Sequence, residues 1–248
     1  MNPTLKSVVR HLMPASLYDQ LNGGLSILKQ ATFKEDGMAT VHNADFLKEP
    51  RFQASFQKGL EDIPADLVAS ALGAMRWRAH ICCWAAGQAA NLEGDFVECG
   101  VWYGVLSRTL AEYTNFDTLD KKFYLLDPWG NINRSDREAY EPDIYDAVAR
   151  RFSGFKNVQL VRGFVPDTLP QVISEKVAYL SIDMNAVEPE RHALEYFYPR
   201  MVKGGVIYFD DYGWAGHSKL KAMIDSFFSG KPESVLYMPT GQGIVVKI

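Results

Sequence analysis

From Gly94 to the end of the chain, short apolar runs rich in β-branched and aromatic residues alternate with segments whose apolar positions recur every three to four residues. That alternation predicts parallel strands joined by crossover helices. The strand-like runs are 96–99 (FVEC), 123–127 (FYLLD), 158–161 (VQLV), 177–183 (VAYLSID), 206–210 (VIYFD), 235–238 (VLYM) and 243–248 (GIVVKI). Between them, Tyr145, Val148, Ala149 and Phe152 stand at i, i+3, i+4 and i+7, and so predict the buried stripe of a helix. The same spacing recurs in Leu194, Phe197, Tyr198 and Met201, and in Leu220, Met223, Ile224 and Phe227. Pro189 suits the first turn of the second of these helices, where its missing N–H costs nothing.

Only Pro239, Thr240, Gly241 and Gln242 separate the last two runs, too few for the crossover a parallel pair needs, so they form an antiparallel hairpin. With strand six parallel to the first five, the TGQG turn lies on the carboxyl edge of the sheet, where open α/β sheets bind ligands. Residues 1–93 are less regular: a helical pattern runs over 67–92, while 1–60 mixes short helix signals with Gly and Pro breaks. The expected organisation is an α/β, doubly wound sheet domain over 94–248 behind a mainly helical N-terminal extension, 1–93. The extension serves as a lid, a self-association surface for a homo-oligomer, or both.

Composition narrows the partners. At 248 residues and 47% hydrophobic, the chain has material for a substantial core, which removes disordered and collagen-like classes. Lys and Arg total 26 against 30 Asp and Glu, a net charge of −4 with no long basic run, so no nucleic-acid partner is expected. No stretch approaches the ~18 apolar residues of a membrane span, so no membrane partner is expected. His11 and Pro14 interrupt the N-terminus where a secretory leader would be apolar, and a cytoplasmic location is expected. Cys82, Cys83 and Cys99 have neither disulfide nor metal-ligand spacing and read as core residues.

Four of the strands end on acids: Glu98, Asp127, Asp183 and the pair Asp210 and Asp211. An acid after a strand often caps the next helix, but four on one edge suggest a site. The first loop, Glu98-Cys-Gly100-Val-Trp102-Tyr-Gly104, reads E-x-G-x-x-x-G and lacks the G-x-G-x-x-G spacing that seats a pyrophosphate. Its glycines allow close backbone approach, and the adjacent acid suits a cationic ligand. Asp127, at the tip of the second strand, is placed for ribose hydroxyls. A nucleoside with a cationic tail fits both, and S-adenosylmethionine is such a molecule. Trp129, Tyr212 and Trp214 offer flat faces after strand ends, and Gly163 and Phe164 follow the third strand, on the cofactor side. Asp167 is expected to cap the short helix after it.

The segments 94–104 (GDFVECGVWYG), 161–170 (VRGFVPDTLP), 180–214 and the terminal PTGQGIVVKI resemble class I S-adenosylmethionine-dependent methyltransferases, and more narrowly the macrocin, mycinamicin and novobiocin sugar O-methyltransferases. The resemblance covers most of 94–248 and, more loosely, the preceding RWRAH. It implies a Rossmann-like seven-stranded sheet of order 3-2-1-4-5-7-6 with the last strand antiparallel, the cofactor over strands one and two, and Mg²⁺ held by Asp183, Asp210 and Asp211. Where relatives commonly carry D-x-D and an aromatic, this chain has Asp183-Met184-Asn185-Ala186. Three gathered carboxylates also repel one another unless a cation joins them. Asp183 is the candidate ligand and proton acceptor, and His217, six residues after Asp211, is the histidine nearest this edge in sequence. The expected activity is Mg²⁺-assisted methylation of a hydroxyl on a sugar or glycosylated small molecule. The alternatives are a catechol or phenol acceptor, and a catalytically silent binding protein on the same fold.

Overall fold

The computed structural model describes residues 13–130 and 143–248; most of the stretch read against a secretory leader, His11 included, lies outside them. The chain divides into two compact units, 1–46 and 47–248. The first contains α1 (Ala15–Gln30) and a hairpin of β1 (Phe33–Glu35) and β2 (Met38–Thr40). Asp36 and Gly37 turn the hairpin, both at positive φ (50° and 73°), the geometry that suits the twist of a two-residue loop.

The second unit begins with α2 (Pro50–Leu60), α3 (Ala65–Ser70) and α4 (Arg76–Ala89). The single helical pattern over 67–92 is therefore broken: Leu72–Ala74 forms a 3₁₀ turn between α3 and α4, and a Cβ on Gly73 would meet the Val68 carbonyl oxygen at 2.7 Å. Then follow β3 (Asp95–Cys99), α5 (Val105–Thr114), β4 (Phe123–Asp127), α6 (Tyr145–Phe152), β5 (Val158–Arg162), β6 (Val177–Ile182), α7 (Val187–Phe197), β7 (Met201–Phe209), α8 (Ser218–Phe228), β8 (Leu236–Tyr237) and β9 (Gly243–Val246). The sheet order is β5-β4-β3-β6-β7-β9-β8, with β9 antiparallel to both neighbours. Counted from Gly94 this is 3-2-1-4-5-7-6, the expected Rossmann-like arrangement.

Strands β4 and β6 are buried along their whole length, which is why they read as continuous apolar runs. Alternation assigns Val97, Cys99, Tyr124 and Leu126 to the core shared with Leu194 and Phe197 of α7 and Ile224 and Phe228 of α8. Phe96 lies on the opposite face, against Phe116, Phe123 and Tyr179. Cys82, Cys83 and Cys99 are free thiols within the core, at 1%, 1% and 0% exposure, and burial raises the pKa of each.

Two further sequence expectations are corrected. The stripe ending at Met201 is not one helix: Pro199 stops α7 at Phe197, Tyr198–Arg200 turns as 3₁₀, and Met201 opens β7 opposite Val177. Asp167 does not cap the short helix after it, which is a 3₁₀ turn over Leu169–Gln171 flanked by Thr168 and without a side-chain cap.

Glu233 fastens the C-terminus. Its carboxylate accepts bonds from Lys247 Nζ (2.6 Å), the Tyr198 hydroxyl (2.8 Å) and the Ile248 N–H (3.3 Å). Burial acts to raise its pKa, but the Lys247 ammonium and Tyr198 hydroxyl outweigh it and hold the group at about 2, below the usual 4.5. The ionised form thus stabilises the fold above pH 4.5, and the contribution is lost as pH falls from there through about 2. Glu233→Gln is expected to lower the melting temperature at pH 7, by about 2–4 °C for each kcal/mol lost in a chain of this size. Melting curves across pH should show the gap to the wild type closing over that acid range.

Candidate active site

The sheet register explains how the acids converge. Glu98 pairs with Leu125 and Ser181, and Ser181 with Tyr208, so these residues form a row across β4, β3, β6 and β7. Two residues on, the same row reads Asp127, Gly100, Asp183 and Asp210, carried past the strand ends by Gly100 N–H to Leu126 O (2.9 Å), Asp183 N–H to Cys99 O (2.8 Å) and Asp210 N–H to Ile182 O (3.1 Å). Neighbouring strands lie ~4.8 Å apart, so the edge is a compact line of carboxylates with one glycine in it. That glycine is required: at φ +88°, a Cβ on Gly100 would lie 1.7 Å from the Asp183 carbonyl oxygen.

A cleft lies on this line. It is lined by Gly100, Leu126, Asp127 and Pro128, by Gly163, Phe164 and Val165 after β5, and by Met184 and Pro189 after β6. Glu98 is 4% exposed, and its Oε2 has no hydrogen-bond partner. Burial, with the Asp210 and Asp127 carboxylates adding to it, pushes its pKa up to about 8. An orphaned buried acid beside a glycine cradle fits the ammonium group of a bound S-adenosyl cofactor.

Asp127 is largely committed to the protein. Its Oδ2 accepts the N–H groups of Val101 (2.8 Å) and Trp102 (2.9 Å), and its Oδ1 that of Trp129 (2.7 Å), so it ties the first loop to the second. Three of about four acceptor positions are taken, leaving one for a ribose hydroxyl. Trp129 is fully buried; its indole N–H donates to Trp102 O at 2.8 Å, making it a strut under the loop. Trp102, 36% exposed, packs its ring edge-on against Tyr103 (5.2 Å between centroids), and Gly104 starts α5 with Phe152 packed where a Cβ would sit. Gly163 (φ +144°) and Phe164 reach the cleft from the end of β5. Arg151 supports the same loop from below, donating Nε–H to Tyr103 O (3.0 Å) and its other N–H groups to Gly59 O and Glu61 O at the end of α2.

The family model described as Macrocin-O-methyltransferase (TylF) matches residues 8–231 of this chain. The chain belongs to the macrocin O-methyltransferase family. Members of that family are S-adenosylmethionine-dependent O-methyltransferases, and so is this chain. It is 23% identical over 209 residues, 76% of this chain and 82% of the relative, to the mycinamicin III 3″-O-methyltransferase of Micromonospora griseorubida. It is 29% identical over 143 residues, 49% of this chain and 54% of the relative, to the demethyldecarbamoylnovobiocin O-methyltransferase of Streptomyces niveus. Its fold matches the solved structure of a TDP-rhamnose 3′-O-methyltransferase of calicheamicin biosynthesis at TM-score 0.55 and 16% identity, over 83% of this chain and 96% of that one.

In this macrocin-family chain the acids beyond Gly100 to which the resemblance assigned Mg²⁺ are Asp183, Asp210 and Asp211. Among the described residues, no group of three His, Cys, Asp or Glu is placed to hold a metal ion. Asp210 is engaged at both oxygens, Oδ1 accepting the Tyr208 hydroxyl (2.7 Å) and Oδ2 facing Arg78 Nη1 (2.5 Å). Asp183 is half-buried and accepts Asn185 Nδ2 at 3.2 Å; burial, then Asp210 and Asp211, push its carboxyl well above the usual range. Asp211 is 9% exposed, and its Oδ2 has no hydrogen-bond partner. Burial and Asp210 raise Asp211 to about 6, and His217 Nδ1 lies 3.8 Å from that oxygen.

Sequence reasoning missed Arg78 and Glu190. Glu190 is 2% exposed, accepts the Met184 N–H (3.1 Å) and is raised by burial to about 7. It looks like an acid placed for the helix dipole, and nothing in sequence separates it from Glu188 on the same turn. Arg78 did leave a signal: α4 begins with Arg76 and Arg78 and no acid, against the dipole preference. Tyr212 donates to Asp225 Oδ1 (2.6 Å) and is structural, whereas the Trp214 ring lies under the Arg78 guanidinium at 5.6 Å. The TGQG turn reaches this loop through the Gly213 N–H to Gly241 O bond (2.6 Å).

Proposed function

We propose that this chain methylates a hydroxyl of a sugar or glycosylated small molecule, with the acceptor held over Asp183 and Asp211. The observation that carries the reading is the single row Asp127, Gly100, Asp183, Asp210, which leads from the glycine cradle to an orphaned buried carboxylate oxygen on Asp211. The names of the relatives support the acceptor class: one similar structure is that of a TDP-rhamnose 3′-O-methyltransferase.

S-adenosylmethionine, when bound, would supply an electrophilic methyl group for the acceptor oxygen. Glu98, Gly100 and Asp127 would hold it, with Gly163 and Phe164 lining the same cleft as Gly100 and Asp127. The chain's remaining task is the acceptor proton, since an alcohol is a poor nucleophile until that proton leaves. Asp211 is suited to accept it: raised to about 6, it is ionised at neutral pH yet basic enough to share a proton. His217, 3.8 Å away, is placed to pass the proton outward.

The first test is calorimetric titration of S-adenosylhomocysteine in buffers of different ionisation enthalpy. Micromolar affinity, about 8 kcal/mol, is expected. Because Glu98 is held up to about 8, the free protein carries it protonated at pH 7, and an ammonium ligand would draw off up to one proton. Heats that track the buffer support the assigned cradle, and buffer-independent heats remove Glu98 from it. Transfer of labelled methyl from S-adenosylmethionine to sugar nucleotides but not catechols supports the acceptor class; transfer to catechols alone overturns it.

A further inference from the structure

Four buried or half-buried carboxyls meet at the acidic edge: Asp183, Asp210, Asp211 and Glu190. Such a group needs a compensating positive charge. Arg78 supplies one from α4, the helix that covers this face of β6 and β7. Its Nη1 stands 2.5 Å from Asp210 Oδ2, the two side chains being 11% and 3% exposed, and Trp214 covers the guanidinium at 5.6 Å. The pair joins residues 132 positions apart in sequence, so it is built by the tertiary fold and not by local helix geometry. With the Tyr208 hydroxyl on Oδ1, the central carboxylate of the edge has both oxygens engaged by the protein.

We propose that Arg78 is a resident cation standing where a divalent metal would otherwise bridge these carboxylates, and that it is a positioning residue which fixes Asp210 and with it the acceptor edge. The proposal rests on the methyltransferase reading for its role in turnover, but not for its metal chemistry. A guanidinium brings one charge where Mg²⁺ brings two. Arg78 Nη1 on Oδ2, with the Tyr208 hydroxyl on Oδ1, holds the Asp210 carboxylate in one orientation.

The test is a Mn²⁺ titration followed by electron paramagnetic resonance on full-length protein, for the wild type, Arg78→Ala, Arg78→Lys and Asp210→Asn. The wild type is expected to show no saturable Mn²⁺ binding at millimolar metal, and its methyl transfer to survive EDTA unchanged. Arg78→Ala, which leaves the carboxylates uncompensated, is expected to bind Mn²⁺ at least about 10-fold more tightly. Arg78→Lys, which keeps the charge, is expected not to gain it. Saturable binding to the wild type that Asp210→Asn removes would overturn the proposal, and this comparison needs no Arg78 variant to fold. A folded Arg78→Ala that gains no metal affinity would overturn it too. Loss of the methyltransferase reading would appear separately, as absent S-adenosylhomocysteine binding in the wild type with the Mn²⁺ results unaffected.

Discussion

Gly100→Ala is expected to abolish S-adenosylhomocysteine binding. The added Cβ would lie 1.7 Å from the carbonyl oxygen and 2.4 Å from the carbonyl carbon of Asp183, both backbone atoms that cannot turn aside. Residue 100 also sits at φ +88°, a conformation an L-residue with a side chain adopts only under strain. Relief requires β3 to move from β6, and the Asp183 N–H to Cys99 O bond (2.8 Å) that carries the acidic row past the strands would open. Affinity is expected to fall by at least about 100-fold, equivalent to ~2.7 kcal/mol, with a lower melting temperature besides. Gly154→Ala is the control, since nothing lies within 4 Å of its Cβ position. Calorimetry and melting curves on the two variants decide the matter: a Gly100→Ala protein that binds as the wild type does would separate the cradle from the cofactor.

Asp211→Asn is expected to reduce kcat by about 10²–10⁴-fold while leaving S-adenosylhomocysteine affinity within a few-fold. The amide keeps the shape of the carboxyl but cannot accept the acceptor's proton. In the wild type, burial and Asp210 hold Asp211 at about 6, so the rate should rise with pH through about 6 as the carboxylate forms. In the variant that acid limb should be absent from the pH profile. Retention of both rate and acid limb would move the proton acceptor away from Asp211.

The sheet was legible from Gly94 onward because its central strands are buried on both faces, and 123–127 and 177–182 therefore read as unbroken apolar runs. The hairpin at the end followed from four connecting residues alone. The strand-end acids were visible for the same reason, since each marks the point where an apolar run stops. What each acid does was not visible. Asp127 binds three backbone N–H groups from two loops, and Asp210 meets a guanidinium from a helix far upstream; both depend on which strands become neighbours. Trp129 illustrates the limit for aromatics, where a ring after a strand end serves equally well as a ligand platform or a strut. The Asp36-Gly37 hairpin carried a clear turn signal, but three-residue strands are too short to show alternation.

The buried thiols give the molecule an internal clock. Cys82 and Cys83 lie on α4, the helix that also carries Arg78, and Cys99 is the last residue of β3, immediately before Gly100. With thiols closed off by packing and held protonated by burial, an alkylating reagent can react only when α4 lifts or β3 comes away from the sheet. The rate of modification at each cysteine therefore counts openings of the two elements that frame the acidic edge. A ligand that bridges them would slow all three thiols together, without itself touching any sulfur.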